Sequence, residues 1–287
     1  MINKEIIKKI EDFVYLKPRS IQEIAQHVKK NWRTVDRYVY EIKEEYGTID
    51  VRIFREGTRG ALKIVYWASI EKVSNSVFQE QLEMQIMNER KKEDFSAFDI
   101  FQYVNKKKKE SWMEEGKNEV SLKKLDKFKD ILLKAKKQIL FFSGNLSFIN
   151  YQDKEIDIFS VLEDVIKKGV KIKIICRVDL SAKENIEKVL SLNFKYGKEL
   201  IEVRHKEQPL RVTIIDDEFF NLKEIKEPTG RIKELNKKIF IFYTIKDKEW
   251  TKWISRIFWK MFSSAISAEK RIEELNLIKE PKNNKNK

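Results

Sequence analysis

Residues 20–39 read SIQEIAQHVKKNWRTVDRYV, and they decide the fold of the N-terminal part of the chain. Ser20 followed by Glu23 is a capping-box pattern, which predicts the start of a short helix. Asn31 is a typical N-cap residue, and it predicts a second helix that extends to about Tyr46. Both segments carry apolar residues at helical spacing: Ile21, Ile24, Ala25 and Val28 in the first, and Val35, Tyr38, Val39 and Ile42 in the second. Two short amphipathic helices joined by a tight turn are typical of a helix-turn-helix.

The flanking segments predict one more helix and a hairpin. Before the quoted stretch, residues 2–14 carry apolar side chains at helical spacing. After it, residues 48–54 alternate apolar and polar side chains, residues 56–60 read EGTRG and predict a turn, and residues 62–67 predict a second strand. We therefore expect three helices and a β-hairpin within residues 1–67.

This order of elements resembles the winged-helix family of bacterial and archaeal regulators. The resemblance implies that the second of the paired helices lies in the major groove of duplex DNA. Arginine can bond guanine through two donors, and basic residues on a hairpin can contact phosphate or enter the minor groove. The DNA-binding candidates are Trp32, Arg33, Thr34, Asp36 and Arg37 on the helix, with Arg33 and Arg37 as readers of base edges, and Arg52, Arg55, Arg59 and Lys63 on the hairpin. Two alternatives stay open: a solvated surface in which arginines pair with acids such as Glu41, and a winged helix that binds protein.

Charge and composition narrow the classes of function. The chain has 287 residues, of which 41% are hydrophobic, so we expect a globular protein with two domains and a connector. Sixty Lys and Arg against 46 Asp and Glu give a net charge of +14, which attracts polyanions such as nucleic acid. A single cysteine, Cys176, and two histidines leave no disulfide framework and no metal site to propose. We expect no cofactor, signal peptide or membrane span, and a cytoplasmic, nucleoid-associated protein.

Residues 68–135 are interpreted as a helical connector. Residues 94–104 predict a docked aromatic helix, and a further helix begins near Ser121. Residues 106–118 are rich in charges and predict a solvated loop, with a phosphate-binding patch as the alternative. An a/d rhythm predicts either a dimerising coiled coil or ordinary packing on a neighbouring domain, and its members are Ile70, Val73, Val77, Met84 and Met87.

Residues 136–275 predict an α/β sandwich, and residues 276–287 a basic tail. A strand, a helix and a second strand follow one another at the start, which indicates parallel pairing. The last helix carries an apolar stripe between Trp250 and Phe262 that we expect to pack on the sheet, with a membrane-surface helix as the alternative. Strands are expected at 138–143, 170–177, 199–204, 211–216 and 239–245, and helices at 156–168, 181–192 and 248–268.

Residues 204–220 read RHKEQPLRVTIIDDEFF and resemble the phospholipase D superfamily, whose motif is His-x-Lys-x4-Asp. The alignment places Pro209 at the His position, Arg211 at the Lys position and Asp216 at the Asp position. The family's reaction passes through a phosphohistidine, and proline has no lone pair with which to attack, so we expect no catalysis. His205 lies four residues too early. We expect Arg211 to bind an anion or to pair with Asp216.

A winged helix joined to a degenerate phospholipase D-like domain and an aromatic helix is similar to archaeal TrmB-type regulators. The resemblance implies a multidomain α/β protein that binds double-stranded DNA, regulates transcription and responds to a small-molecule effector. Active members of the superfamily build their site between two modules, so one copy implies a homodimer, which also suits a palindromic operator. The runner-up is a phosphodiesterase or nuclease targeted by the winged helix. A third interpretation is a non-catalytic adaptor.

Overall fold

The computed structural model describes residues 2–55, 61–68, 75–116, 125–228 and 237–279. In these ranges the chain forms ten α-helices and eleven β-strands. The strands build a three-stranded sheet and an eight-stranded mixed sheet. The expectation of an α/β protein is therefore confirmed at the level of a mixed α/β architecture.

The first 67 residues, which we call the head, form three helices and a three-stranded sheet. The helices are α1 (Lys4–Leu16), α2 (Ile21–His27) and α3 (Trp32–Glu45). The strands, in the spatial order β1-β3-β2, are β1 (Arg19–Ser20), β2 (Ile49–Arg55) and β3 (Ala61–Trp67). These elements agree with the three helices and the hairpin expected from the sequence.

The helix starts of the head depend on the side chains that the sequence pattern indicated. The Ser20 hydroxyl accepts a bond from the Glu23 backbone N–H (3.2 Å), and the Glu23 carboxylate accepts one from the Ser20 backbone N–H (2.7 Å). The Asn31 side chain accepts a bond from the Arg33 backbone N–H (2.9 Å). Such bonds satisfy donors that the first turn of a helix leaves unpaired. One core then fixes the three helices against the hairpin, through Ile10, Ile24, Val35, Val39, Ile42, Ile49 and Val65.

The larger sheet and its helices form the rest of the structure, which we call the body. Its strands are β4 (Lys109–Gly116), β5 (Gln138–Phe142), β6 (Lys171–Cys176), β7 (Ile201–His205), β8 (Val212–Ile215), β9 (Phe219–Lys226), β10 (Lys238–Ile245) and β11 (Ile266–Ser267). They lie in the order β11-β7-β6-β5-β8-β9-β10-β4, and β5, β6 and β7 are mutually parallel. The predicted parallel pairing of the first two strands, β5 and β6, is confirmed.

Helices cover both faces of this sheet. They are α4 (Asn75–Asn88), α5 (Ala97–Tyr103), α6 (Leu125–Leu133), α7 (Ile158–Lys167), α8 (Lys183–Tyr196), α9 (Lys248–Ser263) and α10 (Ala268–Lys279). On β5, Leu140 and Phe142 join a core with α9, whereas Ile139 and Phe141 join a core with α7 and α8. Because strand side chains alternate between faces, β5 contributes to both cores. The Trp250–Phe262 stripe of α9 is buried on the sheet, as expected. No helix in the described ranges is long and apolar enough to span a bilayer.

The prediction of a solvated loop at residues 106–118 is wrong, because residues 109–116 form the edge strand β4. It pairs antiparallel with β10, with Trp112 opposite Phe242. An edge strand has one neighbour, so charged residues such as Glu110 and Glu115 stay exposed while Met113 is buried. Part of the predicted connector is thus built into the sheet, and the domain limits stay predictions.

Other differences concern short elements near turns and the end of the chain. Strand β9 was not expected, and the predicted helix 248–268 is two elements, α9 and α10, with β11 between them. Helix α10 continues to Lys279 and so enters the segment interpreted as a tail. Residues 280–287 of that tail lie outside the described residues.

Helix α4 packs mainly through residues that the a/d pattern did not include, although Met87 of that pattern is partly buried against the same core. Leu82 and Ile86 are its buried residues, and they join the core with α5 and α9. Val77 and Met84 of the predicted seam are 40% and 65% exposed. Ile70 and Val73 lie outside the described residues. The coiled coil stays a prediction, and Val77 and Met84 form an exposed apolar stripe on α4.

Head and body meet along one face of the hairpin. Phe54, Leu62 and Ile64 belong to the same core as Phe98 and Tyr243 of the body. This face of the hairpin is therefore covered, and the opposite face packs on the helices of the head. The outer side of α3 takes part in neither core.

Candidate nucleic-acid interface and ligand cleft

Helix α3 presents its two arginines to solvent. Arg33 and Arg37 are exposed and one turn apart, whereas Val35 and Val39, between and beyond them, are fully buried. The guanidinium carbons lie 5.5 Å from the rings of Trp32 and Tyr38, respectively. Neither arginine forms an ion pair within the described part of the chain, and the expected alternative, pairing with Glu41, is not seen.

The remaining candidates of the head differ in their surroundings. Trp32 and Thr34 are partly exposed. Arg52 is exposed on the hairpin face that meets the body, 5.9 Å from the ring of Phe54. Lys63 lies on the opposite face, and its Nζ is 2.7 Å from both carboxylate oxygens of Asp36 on α3. This ion pair links β3 to α3. Asp36 neutralises much of the charge that Lys63 could otherwise offer to an external partner. Arg59 and the side chain of Arg55 lie outside the described residues.

Two lysines that were not among the predicted DNA-binding residues lie beside α3. Lys29 and Lys30 are exposed in the turn between α2 and α3, and Lys29 has a left-handed backbone with φ of 54°. The turn of a helix-turn-helix lies near the DNA backbone when the second helix is in the groove. Their position directly before the N-cap Asn31 was the signal that could have found them.

The three residues aligned with the phospholipase D motif do not form one site. Arg211 precedes β8 and Asp216 follows it, so about 16 Å of strand separates them. The Asp216 carboxylate accepts the backbone N–H groups of Lys136, Lys137 and Gln138 at 2.7, 2.8 and 2.8 Å. Of the two alternatives expected for Arg211, the pairing with Asp216 is therefore wrong, and anion binding stays a prediction. Asp216 instead fixes the start of β5, at the end of the strands opposite to Arg211.

His205 and Cys176 are both held inside the fold. The Nδ1 of His205 accepts the backbone N–H of Val178 (2.9 Å), and burial lowers the pKa of its imidazole. The ring thus holds the loop after β6 against the end of β7. Burial raises the pKa of the Cys176 thiol to about 12, so this thiol is protonated at neutral pH. Within the described ranges, no group of three or more His, Cys, Asp or Glu side chains is arranged to hold a metal ion.

A basic cleft lies at the carboxyl ends of the parallel strands β5, β6 and β7. Its volume is about 470 Å³, and seven basic side chains line it against two acidic ones. Ligands of open α/β sheets bind at the carboxyl ends of the strands, where loops leave the sheet. Arg177 is paired with Asp179 (2.7 Å), and Lys92 lies 3.6 and 3.7 Å from Glu93 and Glu227. The basic residues are Arg90, Lys91, Lys92, Arg177, Lys206, Arg211 and Lys223, and the acidic ones are Glu93 and Glu207.

The position of Arg211 in this basic cleft depends on a glycine. A Cβ atom at Gly144 would lie 2.7 Å from Nη2 of Arg211, so a larger residue there would displace the guanidinium from its position over the backbone after β5. Nη1 of Arg211 donates to the Leu210 carbonyl (2.7 Å). Gln208 donates to the Ser143 carbonyl (2.9 Å) and accepts from the Leu210 backbone N–H (2.5 Å). These contacts fix the segment before β8 against the end of β5.

An aromatic cavity adjoins the basic cleft. Its volume is about 80 Å³, and it shares Ser143, Phe148, Arg211 and Lys223 with the basic cleft as lining residues. The ring of Trp112 stacks on Phe242 with 5.0 Å between centroids. The Trp112 indole N–H is buried and has no hydrogen-bond partner in the part of the chain that the structure describes. The other walls include Glu114, Phe128, Phe141, Tyr151, Thr213 and Asn221.

Of the charged residues that line the basic cleft, only Arg211 was predicted from the sequence. Arg177 and Lys206 directly follow apolar strands, which is a signal for the ligand-binding edge of a sheet. Residues 90–93 and Lys223 carry no local signal, because they reach the basic cleft only through the packing of distant segments.

Comparisons with known proteins give weak similarities. The sequence matches no family model and no curated protein. Among solved structures, the phospholipase D family member Nuc from Salmonella typhimurium is 11% identical, with 55% of this chain and 98% of that chain covered and a TM-score of 0.38. TrmBL2, described as an archaeal chromatin protein with a novel mode of DNA binding, is 15% identical, with 92% and 94% covered and a TM-score of 0.38. NucT from Helicobacter pylori is 16% identical, with 55% and 99% covered and a TM-score of 0.37. At these values, the similarities do not assign the chain to a family or a function.

Proposed function

We propose that the protein is a sequence-specific transcription regulator that binds double-stranded DNA through a winged helix-turn-helix in its head. The observation that carries the proposal is the pair Arg33 and Arg37, exposed side by side on a capped and well-anchored helix. Each guanidinium can bond O6 and N7 of a guanine in the major groove. Helix α3 is held rigidly, so these arginines reach a duplex without reordering the backbone.

Charge around α3 supports the same function. Lys29 and Lys30 extend from the preceding turn, where they can contact phosphates on one side of the groove. Arg52 offers a further positive charge on the hairpin. Lys63 contributes less, because Asp36 already neutralises it at 2.7 Å. Phosphate contacts of this kind give affinity for every duplex, whereas the two arginines give the preference for a sequence.

The test is fluorescence anisotropy on a duplex selected by the protein from a random library, with a scrambled duplex as competitor. Arg33→Ala and Arg37→Ala should each reduce the preference for the selected sequence about tenfold or more, since a bidentate base contact contributes roughly 1–3 kcal/mol. Replacing Lys29 and Lys30 with alanine should weaken binding to both duplexes equally and reduce the dependence on salt. Lys154→Ala, which removes an exposed charge from the body, is the matched control. A wild-type protein without affinity for any duplex at low ionic strength would refute the proposal.

We further propose that the body is a phospholipase D-like domain that binds a ligand and dimerises without catalysing a reaction. Proline stands at position 209 in place of the nucleophilic histidine, and Nδ1 of the neighbouring His205 is already bonded to the backbone. The rival function, a phosphodiesterase or nuclease, predicts metal-independent cleavage of DNA that His205→Ala abolishes. We expect no cleavage from either form of the protein.

A further inference from the structure

We propose that the basic cleft and the aromatic cavity together bind a nucleotide, with the base in the cavity and the phosphate in the cleft. The inference deepens the proposed function, because it names the chemical class of the effector that the regulator senses. Three observations carry it: the charge of the basic cleft, the lining of the aromatic cavity and the walls that the two share.

The basic cleft is suited to a phosphate group. Arg177 follows β6, and Lys206 and Arg211 begin and end the loop between β7 and β8. Lys223 and the segment 90–92 add charge from the other sides. A phosphate dianion accepts bonds from several directions, and the planar donors of arginine match its oxygens. Gly144 leaves the space that holds the Arg211 guanidinium in the basic cleft. A single carboxylate would engage only a small part of this surface.

The aromatic cavity is suited to a nucleobase. The cavity alone measures about 80 Å³, which is about half the volume of a protein cavity that binds benzene. A base that enters it therefore extends past the shared walls into the basic cleft. Seven of the sixteen lining residues are aromatic, and their rings favour a flat, weakly polar ring. The unpartnered N–H of Trp112 requires an acceptor, and the buried Thr213 and Asn221 offer further polar atoms. A purely hydrocarbon ring would leave the indole N–H without a partner, whereas a base supplies carbonyl oxygens and ring nitrogens.

The shared walls join the two parts into one site. Arg211 and Lys223 line both spaces, and so do Ser143 and Phe148. A ligand that occupies both must therefore carry its anionic group close to its ring. A nucleoside monophosphate has this arrangement, with a sugar between the base and the phosphate.

The site also touches the segments that hold the head. Glu93 lines the basic cleft, and its backbone carbonyl accepts a hydrogen bond from Nζ of Lys17 at the end of α1. On β9, Lys223 faces the basic cleft, while Lys226, three residues later and on the other face of the strand, lies 3.3 Å from Glu23 of α2. A ligand that draws these two segments together changes the seating of the head, and with it the affinity for DNA.

The experiment is isothermal titration calorimetry on the full chain at low salt without DNA. The probes are AMP and UMP, with adenosine, uridine and inorganic phosphate as the parts of each ligand. We expect at least one nucleotide to bind ten times more tightly than its nucleoside or phosphate. Arg211→Gln and Gly144→Ala should each weaken nucleotide binding about tenfold, the second by displacing the guanidinium. Trp112→Phe should weaken nucleotide binding but leave phosphate binding unchanged.

Lys252→Gln removes the same charge at the opposite edge of the sheet and should bind as the wild type does. Circular dichroism and thermal melting show that each variant is folded. Phosphate alone binding as tightly as both nucleotides would overturn the inference, and so would the absence of nucleotide binding. Binding that survives both Arg211→Gln and Gly144→Ala would place the ligand elsewhere and overturn it too. Arg33→Ala should keep nucleotide binding, so a failure of this site and a failure of DNA binding are distinguished.

Discussion

At the scale of single residues, Asp99 of α5 shows how the contact between head and body affects an ionisable group. Its carboxylate accepts a bond from Nε2 of Gln102 (3.1 Å). Burial, and next the negative charge of Glu224, raise the pKa of Asp99 well above its usual value, although Lys226, Lys17 and Arg19 oppose the shift. In the unfolded chain the carboxyl ionises near pH 4. As pH rises above 4, the unfolded state therefore loses its proton before the folded state does, and the free energy of unfolding falls.

Asp99→Asn removes this penalty, because an amide does not ionise and its oxygen can still accept the bond from Gln102. We expect the variant to be more stable than the wild type at pH 7, with a difference that shrinks as pH falls towards 4. Urea unfolding at pH 4 and pH 7 measures this difference in the free energy of unfolding. Asp130→Asn, at an exposed position of α6, is the control and should show little difference at either pH. A variant that is less stable than the wild type at pH 7 would contradict the assigned burial of the charge.

At the scale of elements, the sequence predicted those whose signal is local. The capping side chains Ser20 and Asn31 and the periodic apolar residues define α2 and α3 without any knowledge of their neighbours. Strand β4 was missed because an edge strand keeps charged residues in solvent, which hides its alternation. The basic cleft was missed for a different reason. Residues 90–92 and Lys223 lie far apart in sequence, and only the fold brings them to Arg211.

The exposed side of α4 leads to a prediction about the proposed homodimer. Val77 and Met84 are seven residues apart, and both are exposed while the opposite side of α4 is buried. If this stripe is the seam of the proposed homodimer, a charge at Met84 must be desolvated on association. Met84→Lys should then shift the mass towards that of a monomer at micromolar concentration, as measured by multi-angle light scattering. Phe194→Lys places the same charge at an exposed apolar position of α8, away from α4, and should leave the mass unchanged. An unaltered mass in Met84→Lys would assign any dimer to another surface.

At the scale of the whole molecule, Lys226 joins the body to the head. Its Nζ lies 3.1 Å from Glu224 and 3.3 Å from Glu23, and its side chain is 13% exposed. Glu224 also accepts bonds from Ser96 (2.9 Å) and Tyr243 (3.1 Å). Burial alone would raise the pKa of Glu23, but the charge of Lys226 and the bonds from Ser20 outweigh it and lower that pKa. The residue that completes the capping box of α2 is therefore also the partner of the body.

Lys226→Met should loosen the head, because both carboxylates lose their buried cation. Breaking a buried pair in this way costs about 3–5 kcal/mol. Hydrogen exchange followed by mass spectrometry should show faster exchange in α1 and α2, with β5 and β6 unchanged. Glu23→Gln preserves the capping box, since glutamine serves at that position, and should give a smaller effect. The contribution of Glu23 is present above its unfolded pKa, near 4.3, and is lost as pH falls through its lower folded pKa. In strong acid the α2 amides of the wild type should therefore exchange as fast as those of Glu23→Gln. If α2 exchanges equally fast in wild type and Lys226→Met at pH 7, the contact of Lys226 with Glu23 does not hold the head on the body.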